Sequence, residues 1–583
     1  MSEQNLDNLR HSASHLLSAA ILSLYPKAKP TLGPPIEDGF YYDFDNLKIS
    51  EEDFPAIEAE MQKIAQKWDK FVKEIVSPEQ AKKVFKGNQY KEELINEFAK
   101  EGQEITLYKS GSYVDLCRGG HIKNPSKELK HFKLLSVAGA YWRGDEKNKM
   151  LTRIYGTVFP TKGELGKYLK NLEKAKKRDH RKIGKELDLF VFADEVGSGL
   201  PLWTPKGTTI QHELVRWAEE TEDKWGYKRV RTPHIAKHTL YEISGHLPYY
   251  KDNMYSPMDI DGEDYYLKGM NCPHHHMIYK SSPKSYRNLP LRYAEYGEVY
   301  RYEQSGTLFG LMRTRFIQQN DAHIYCAEKD AVKEFLDVLK LHEYYYNKLG
   351  LTKNDYHIVI GLPDEKKRNK YHGDKKLWDK AEKMMRDAIK KSNIRSVDDV
   401  GGAAFYGPKI DFNIVSSVGR EFGISTNQLD LYMPTRFNLT YTDKDGKEKL
   451  VVVIHRAPLG SHERFIGFLI EHFGGAFPVW LAPIQVKVLP ITERNYKYAN
   501  AVLDKLRNDG FRVELDNRNE TLPAKIRDAQ LEKIPYMLVV GDKEEKADKV
   551  AVRLRTERDL GQMSLDKFIK NIREKVDKKG LNL

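Results

Sequence analysis

Residues 298–326, EVYRYEQSGTLFGLMRTRFIQQNDAHIYC, limit what this chain can fold into more than any other stretch. Two runs that alternate polar and apolar residues flank a glycine-containing turn at 305–310, a pattern that predicts an antiparallel hairpin. Because strand side chains alternate between faces, Arg313, Arg315, Ile317, Gln319, Asp321 and His323 are expected on one side, with Arg301 and Glu303 on the opposing strand. A row of two guanidiniums, an amide, a carboxylate and an imidazole is too polar for a core. It suits one elongated, charged ligand.

The hairpin belongs to a chain of 583 residues, enough for about three or four domains of ordinary size. Charged residues make up 31% and apolar ones 40%, the balance of a soluble globular protein. A formal charge of +12 favours a polyanionic partner. The most apolar early run, 16–25, is far below the ~18–20 residues that cross a bilayer. Acidic residues precede it, unlike a secretory leader. No membrane association is therefore expected. Three cysteines, Cys117, Cys272 and Cys326, make no disulfide framework, so a cytoplasmic location is expected.

In chain order, residues 8–24 predict an amphipathic helix that sets His11 and His15 on one face. Cys117 and His121, in DLCRGGH, repeat that spacing. The two pairs together suit a four-ligand metal site or a metal-free polar pocket that orients a water. Segments 33–44 and 134–156, rich in aromatics and glycine, predict the strands and tight turns of an α+β domain over 1–161. Residues 162–186 are basic and helical, a linker helix. In TTIQHELVRWAEETEDKW, Ile210, Leu214, Trp217 and Trp225 keep helical spacing, Gly226 stops the helix, and a short strand ending at Pro233 follows.

Further on, HRAPLGSHERFIGFLIEHFGG predicts a strand, a glycine-containing turn and a helix that carries Arg464. Beyond Pro483, strands at 485–490, 511–515, 536–540 and in VAVRLR alternate with helices, a compact α/β domain with a mixed sheet over 483–583. Cys272 in MNCPHHH, His323, and His455 closing KLVVVIH are three candidate zinc ligands that leave a coordination position open. On sequence alone His274, His275 and His276 compete with Cys272.

The long helix, strand and proline, the Arg301-x-Glu303 of the hairpin, and the strand-turn-helix bearing Arg464 resemble, in order, the three signatures of class II aminoacyl-tRNA synthetases. With MNCP, QNDAH and HRAPLGSHERFIG, the chain is similar over essentially its whole length to the threonyl-tRNA synthetase family. The resemblance implies an antiparallel-sheet catalytic core over 187–482, an N-terminal editing domain and a C-terminal anticodon-binding domain. It implies threonine activation by ATP, with Mg²⁺, transfer to the 3′ end of tRNA(Thr), hydrolysis of mischarged seryl-tRNA(Thr), and a homodimer built on the first signature.

Residue by residue, the same resemblance puts Arg301 on the ATP α-phosphate, Arg464 on the γ-phosphate and Glu303 near the adenine, with Arg313 alongside. It selects Cys272, His323 and His455 as ligands of one Zn²⁺ per subunit, which chelates threonine through amine and hydroxyl. Asp321 would accept the hydroxyl proton, with Met270, Gln319, Tyr406, Lys409 and Gln428 around the substrates and His246 linked to transfer. His11, His15, Asp115, Cys117 and His121 match the editing site, which in this family works without a required metal; Asn519, Glu544 and Arg553 match positions that contact anticodon bases.

Zinc rejects valine, which lacks the hydroxyl, whereas serine lacks only a methyl worth ~1–3 kcal/mol. An editing site is therefore expected. Where most bacterial members begin with a small ubiquitin-like domain, this chain opens at the editing region, and looser tRNA contact is expected. Ile317 replaces the family's adenine-stacking aromatic, Gly423 a glutamine and Leu247-Pro248 an aromatic, changes expected to alter ATP affinity more than reaction type. The competing class is a synthetase-like RNA-binding regulator without ligase activity. Retention of Arg301, Arg464 and the three ligands argues against it.

Overall fold

The computed structural model describes residues 3–415 and 421–583, apart from the side chains of Glu3 and Asn369. They fall into two compact units, Met1–Glu173 and Lys174–Leu583. In the first, α1 (Glu3–Leu24) buries Leu9, Ala13, Leu16, Leu17 and Ile21 against an antiparallel sheet of β1 (Gly39–Asp45), β2 (Phe132–Tyr141) and β3 (Met150–Val158), with β3 in the middle. Gly156 on β3 leaves room for the Phe40 ring, which lies 2.6 Å from where a Cβ would stand. A smaller sheet, 72–76, 105–110 and 113–116, carries Asp115 and delivers Cys117 just past its last strand.

The linker expected over 162–186 is two helices, α2 (Lys162–Arg178) and α3 (His180–Glu186). They break at Asp179, whose carboxylate accepts the Arg181 amide at 2.8 Å and so caps the second helix. The second unit then holds α3 by its fully buried His180: Nδ1 donates to Glu471 at 2.8 Å and Nε2 accepts the Leu311 amide at 3.1 Å.

Helix α4 (Pro205–Lys224) starts at a Thr204 cap with proline in its first turn and buries Ile210, Leu214 and Trp217. The strand after it, β4 (Lys228–Arg229), is shorter than expected. Past Arg229 the Thr232 amide bonds the Glu295 carboxylate at 2.7 Å, so a side chain takes the place of the next ladder acceptor. Helix α5 (Cys272–Lys280) comes next, then β5 (Leu291–Tyr300), β6 (Phe316–Cys326), α6 (Ala331–Lys348), β7 (Tyr356–Leu362), β8 (Ser396–Val400), β9 (Lys409–Val415), β10 (Glu421–Asp430), β11 (Val452–Ala457) and α7 (His462–Phe473). One eight-stranded sheet results, in the order β4-β5-β6-β11-β10-β9-β7-β8, antiparallel except at its two outer pairs.

The hairpin forms from β5 and β6, but residues 301–315 are a loop and not a tight turn. Arg301, Glu303, Arg313 and Arg315 therefore stand on that loop, a correction to the strand face expected for them. Within the loop Glu303 takes Arg313 through Nε and Nη2 at 2.9 and 2.7 Å, and its carbonyl takes Arg315 Nε at 2.9 Å. Ile317, Gln319, Asp321 and His323 do alternate onto one face of β6.

On the opposite face, Asn320 donates to Glu222 of α4 at 2.9 Å. Glu222, wholly buried, also takes Arg456 of β11 at 2.8 Å and Arg229 of β4 at 2.6 Å. The Arg456 guanidinium lies 4.2 Å from the centre of the Tyr227 ring. Four elements thus meet on one carboxylate.

After Pro483 come β12 (Val486–Pro490), β13 (Val513–Leu515), β14 (Tyr536–Val540), β15 (Lys549–Leu554) and β16 (Asp559–Ser564), a mixed sheet ordered β13-β12-β14-β15-β16. Edge strand β16 was not expected. Its residues are almost all exposed, so the segment carries no apolar alternation to read. Arg512 ties this sheet back to α4, bonding Glu213 at 2.8 Å and the carbonyls of Trp480 and Ala482.

Replacing Glu222 with Leu strands Arg456 as an unpaired buried cation, and should cost roughly 3–5 kcal/mol of stability in the second unit. Urea unfolding followed by tryptophan fluorescence measures it; an unchanged midpoint would show that the pair does not hold the sheet together.

Candidate active site

Strand register lines up the central residues. His323 of β6 pairs with His455 of β11, His455 with Gln428 of β10, and Gln428 with Lys409 of β9, one row across four strands. Two residues along β6 is Asp321; across from each other on β10 and β9 are Thr426 and Asp411. Residues directly opposite share a face, so side chains distant in sequence converge on one surface.

Helix α5 brings Cys272 to that row at its first turn. The preceding residue fixes it: Asn271 donates to Asp321 at 3.0 Å, and its amide occupies the space that a Cβ on Gly297 of β5 would take. One ligand atom from each of Cys272, His323 and His455 can be chosen so that all lie within 4.8 Å of one another. His455 Nε2 donates to Asp430 at 3.0 Å, and Asp430 is itself held by the amides of Tyr432 and Met433. Of the competing histidines, His276 joins Asp430 and His455 in a second such group, and His275 lies behind His323 with Nδ1 2.8 Å from its Nδ1.

Burial, with His455, His275 and His276 adding to it, drives His323 well below the usual histidine range, so its ring is a neutral lone-pair donor. Burial, with Asp321 and Asp430, pushes the Cys272 thiol well above its usual range. A dication reverses that pressure by taking the thiolate as ligand. One sulfur and two imidazoles are a donor set that fits zinc.

Tyr406 packs with its ring centre 5.5 Å from that of His455, and Gln428 donates to the Gly407 carbonyl at 3.2 Å. His246 rests with Nε2 2.7 Å from Met270 Sδ and Nδ1 2.7 Å from Ser244 Oγ. Burial, with Arg301 and His455, pushes His246 down to about 3, so it is neutral at physiological pH.

A cavity of about 450 Å³ opens on the same sheet face, lined by Arg301, Arg313, Ile317, Gln319, Lys409, Asp411, Gly423 and Arg464, among others. Arg313 is paired with Glu303 and Lys409 with Asp411. Arg301 bonds the carbonyl of Gly269, and Arg464 those of Met312 and Gly423. Among the described residues neither meets a carboxylate within ion-pair distance. Two such guanidiniums facing one cavity are a site for an anion with separated charges. Ile317 lines the wall, while Phe316 packs on Tyr300, their ring centres 5.5 Å apart.

In the first unit the two sequence pairs meet. His11 Nε2 lies 3.2 Å from His15 Nε2 and 3.5 Å from Cys117 Sγ, which is 3.3 Å from His121 Nε2. Burial pushes Cys117 up to about 12 and His121 down to about 2, so thiol and imidazoles are neutral. Asp115 sits behind them, 3.4 Å from His15 Nδ1, ion-paired with Lys91 at 2.5 Å and accepting the hydroxyls of Tyr42 and Tyr113. Lys91, as buried as Asp115, was missed on sequence; on a charged helix, KEELINEF, nothing sets it apart. Asp430 was missed likewise, its role visible only in the fold.

Asn519 is exposed in the loop after β13. Glu544 is engaged, accepting Gln562 Nε2 at 2.5 Å and the Gly541 amide at 3.0 Å. Gln562 stands opposite Ala551, two residues from Arg553 on β15. The last two therefore share a sheet face.

Residues 255–473 match a family model described as the tRNA synthetase class II core domain (G, H, P, S and T), 485–575 an anticodon binding domain, and 105–155 the threonyl and alanyl tRNA synthetase second additional domain. Threonine–tRNA ligase of Thermotoga petrophila is 46% identical over 579 residues, 98% of this chain and 89% of that one. Its counterpart in a Geobacillus species is 47% identical over 575 residues, with the same coverage. That of Borreliella burgdorferi is 46% identical over 576 residues, 98% of each chain. Among solved structures, the RNA binding domain of threonyl-tRNA synthetase from Cryptosporidium parvum matches with a TM-score of 0.65 and 35% identity, covering 70% of this chain and 99% of that one.

Lys91→Met leaves Asp115 buried without its cation and should destabilise the first unit by about 3–5 kcal/mol. Amide exchange across α1 reads the change; unaltered exchange would mean that the carboxylate needs no partner.

Proposed function

The chain belongs to the threonyl-tRNA synthetase family, and on that premise we propose how its residues ligate threonine to tRNA. Zinc held by Cys272, His323 and His455 would select the amino acid, offering an open position to amine and hydroxyl together. Asp321, one oxygen occupied by Asn271, keeps the other to receive the hydroxyl proton. Gln319, Gln428, Tyr406 and Met270 close around the substrate.

The threonine carboxylate attacks the α-phosphate of ATP, which enters with Mg²⁺, breaking the α–β anhydride bond so that pyrophosphate leaves and threonyl-adenylate remains. Arg301 and Arg464 stabilise charge at the α- and γ-phosphates, with Lys409 and the Glu303–Arg313 pair at the cavity wall. His246, neutral and next to Met270, is placed to take part in transfer to the tRNA 3′ end.

Serine fits the same chelation and is rejected weakly. We assign its removal to the first unit, where His11, His15, Cys117 and His121 around Asp115 would position a water at the seryl ester. The resemblance to the family implies the metal-free mode for these four side chains. We further propose that 1–161 edits, 162–186 links, 187–482 activates and 483–583 reads the anticodon through Asn519, Glu544 and Arg553. Two copies would pair through α4 and β4, in the cytoplasm. Among the described residues no helix is long and apolar enough to cross a membrane.

The observation that carries this reading is the row from β6 to β9, with a thiol and two imidazoles at one end and an anion cavity beside it. Threonine-dependent exchange of pyrophosphate into ATP tests it. Exchange should require zinc and fall by at least about 10²–10³ in Cys272→Ala or Arg301→Ala; a zinc-replete chain without exchange would be the regulatory RNA-binding protein instead. Cys117→Ala should leave that exchange near normal while seryl-tRNA accumulates. Unchanged seryl-tRNA would remove editing from the first unit.

A further inference from the structure

Behind the proposed zinc ligands runs a buried chain of hydrogen bonds that the family reading does not use. His323 Nδ1 faces His275 Nδ1 at 2.8 Å, and His275 Nε2 faces Glu295 Oε2 at 3.0 Å. Glu295 accepts the Thr232 amide on Oε1 at 2.7 Å and the Thr232 hydroxyl on Oε2 at 2.9 Å. That hydroxyl receives Lys268 Nζ at 2.8 Å, so its own proton points to Glu295. His275, His323, Glu295, Lys268 and Thr232 are all buried.

With both rings in their neutral forms, one arrangement of protons satisfies the chain. A carboxylate only accepts, so His275 Nε2 carries a proton; in the neutral ring Nδ1 then has a lone pair. His323 Nδ1 must donate to it. The lone pair of His323 is left on Nε2. Burial alone would raise Glu295, but the hydrogen bond from His275 and the charge of Lys268 outweigh it and hold the carboxyl below its usual range, ionised at neutral pH.

We propose that His275 and Glu295 are positioning residues that fix the tautomer of His323, so that its Nε2 lone pair is presented to zinc before the metal arrives. The inference rests on the reading that Cys272, His323 and His455 hold zinc. Neither residue touches substrate. Their effect reaches chemistry only through His323.

Glu295→Gln tests this at nearly constant shape. The Thr232 amide pins the new amide oxygen at the Oε1 place, so the NH₂ group faces His275. His275 Nε2 must then accept, its Nδ1 must donate, and the proton on His323 moves to Nε2, where it blocks the lone pair. Zinc affinity of the full chain, measured by competition with a chromophoric chelator, should fall about 10–100-fold. The ligand-field bands of the Co²⁺-substituted protein should shift with it.

Adding His275→Asn to Glu295→Gln places an amide oxygen near the Nδ1 position, able to accept from His323 without help from residue 295. This pair should recover most of the lost affinity. Should Glu295→Gln not fold, His275→Asn against His275→Leu asks the same question, with only Leu expected to weaken zinc. Unchanged zinc affinity and Co²⁺ spectrum in Glu295→Gln, or no recovery in the double variant, or equal affinity of the Asn and Leu forms, would overturn the relay. If the unsubstituted chain takes up no zinc, the zinc reading itself falls, and the relay with it.

Discussion

Everything at the catalytic face depends on a carboxylate on the reverse of the sheet. Glu222, wholly buried, gathers buried Arg456 and Asn320 and partly exposed Arg229. Burying these charges costs several kcal/mol per ion unless each is matched. The match permits one register. Arg456 directly follows His455, and Asn320 lies three residues before His323. A slip of one residue in either strand would turn its histidine to the other face and tear the ion pair apart. The pair therefore specifies the site more than it strengthens the fold.

With register set, burial prepares the two ends of the face for opposite ligands. Around Cys272 it lowers the His323 and His246 imidazoles and raises the thiol, so these three groups are neutral. Such a place accepts a cation that brings its own compensation. A few residues away, Arg301 and Arg464 meet only carbonyls across a cavity open to solvent, and positive charge goes unanswered there. The proposed metal-and-amine site and polyphosphate site rest on these two environments. The first unit repeats the neutral pattern with four side chains and one ion-paired aspartate behind them.

Recognition of threonine and removal of serine thus use one physical idea at different strengths. In the proposed zinc site a chelating hydroxyl would separate threonine from valine by a coordination bond. A methyl separates it from serine by little more than packing. No refinement of the first site closes that gap, and a second site has to hydrolyse what the first one admits.

Periodicity along the chain determined the helix bearing His11 and His15, the β6 face from Ile317 to His323, and the alternation of strands and helices after Pro483, because each is a property of neighbours in sequence. Motif resemblance supplied the three candidate ligands and the arginines proposed for ATP. Local pattern erred at two boundaries: the ladder of the hairpin stops at Tyr300 and Phe316, and Asp179 capped a new helix inside the expected linker. Lys91, Asp430 and Glu295 carried no signal at all, since a buried charge looks in sequence like any other, and His275 stood out only as a competing ligand. Only the fold decided their partners, because hydrogen bonds and ion pairs are set by distance in space, and residues up to fifty positions apart come within 3 Å only once the sheet has closed.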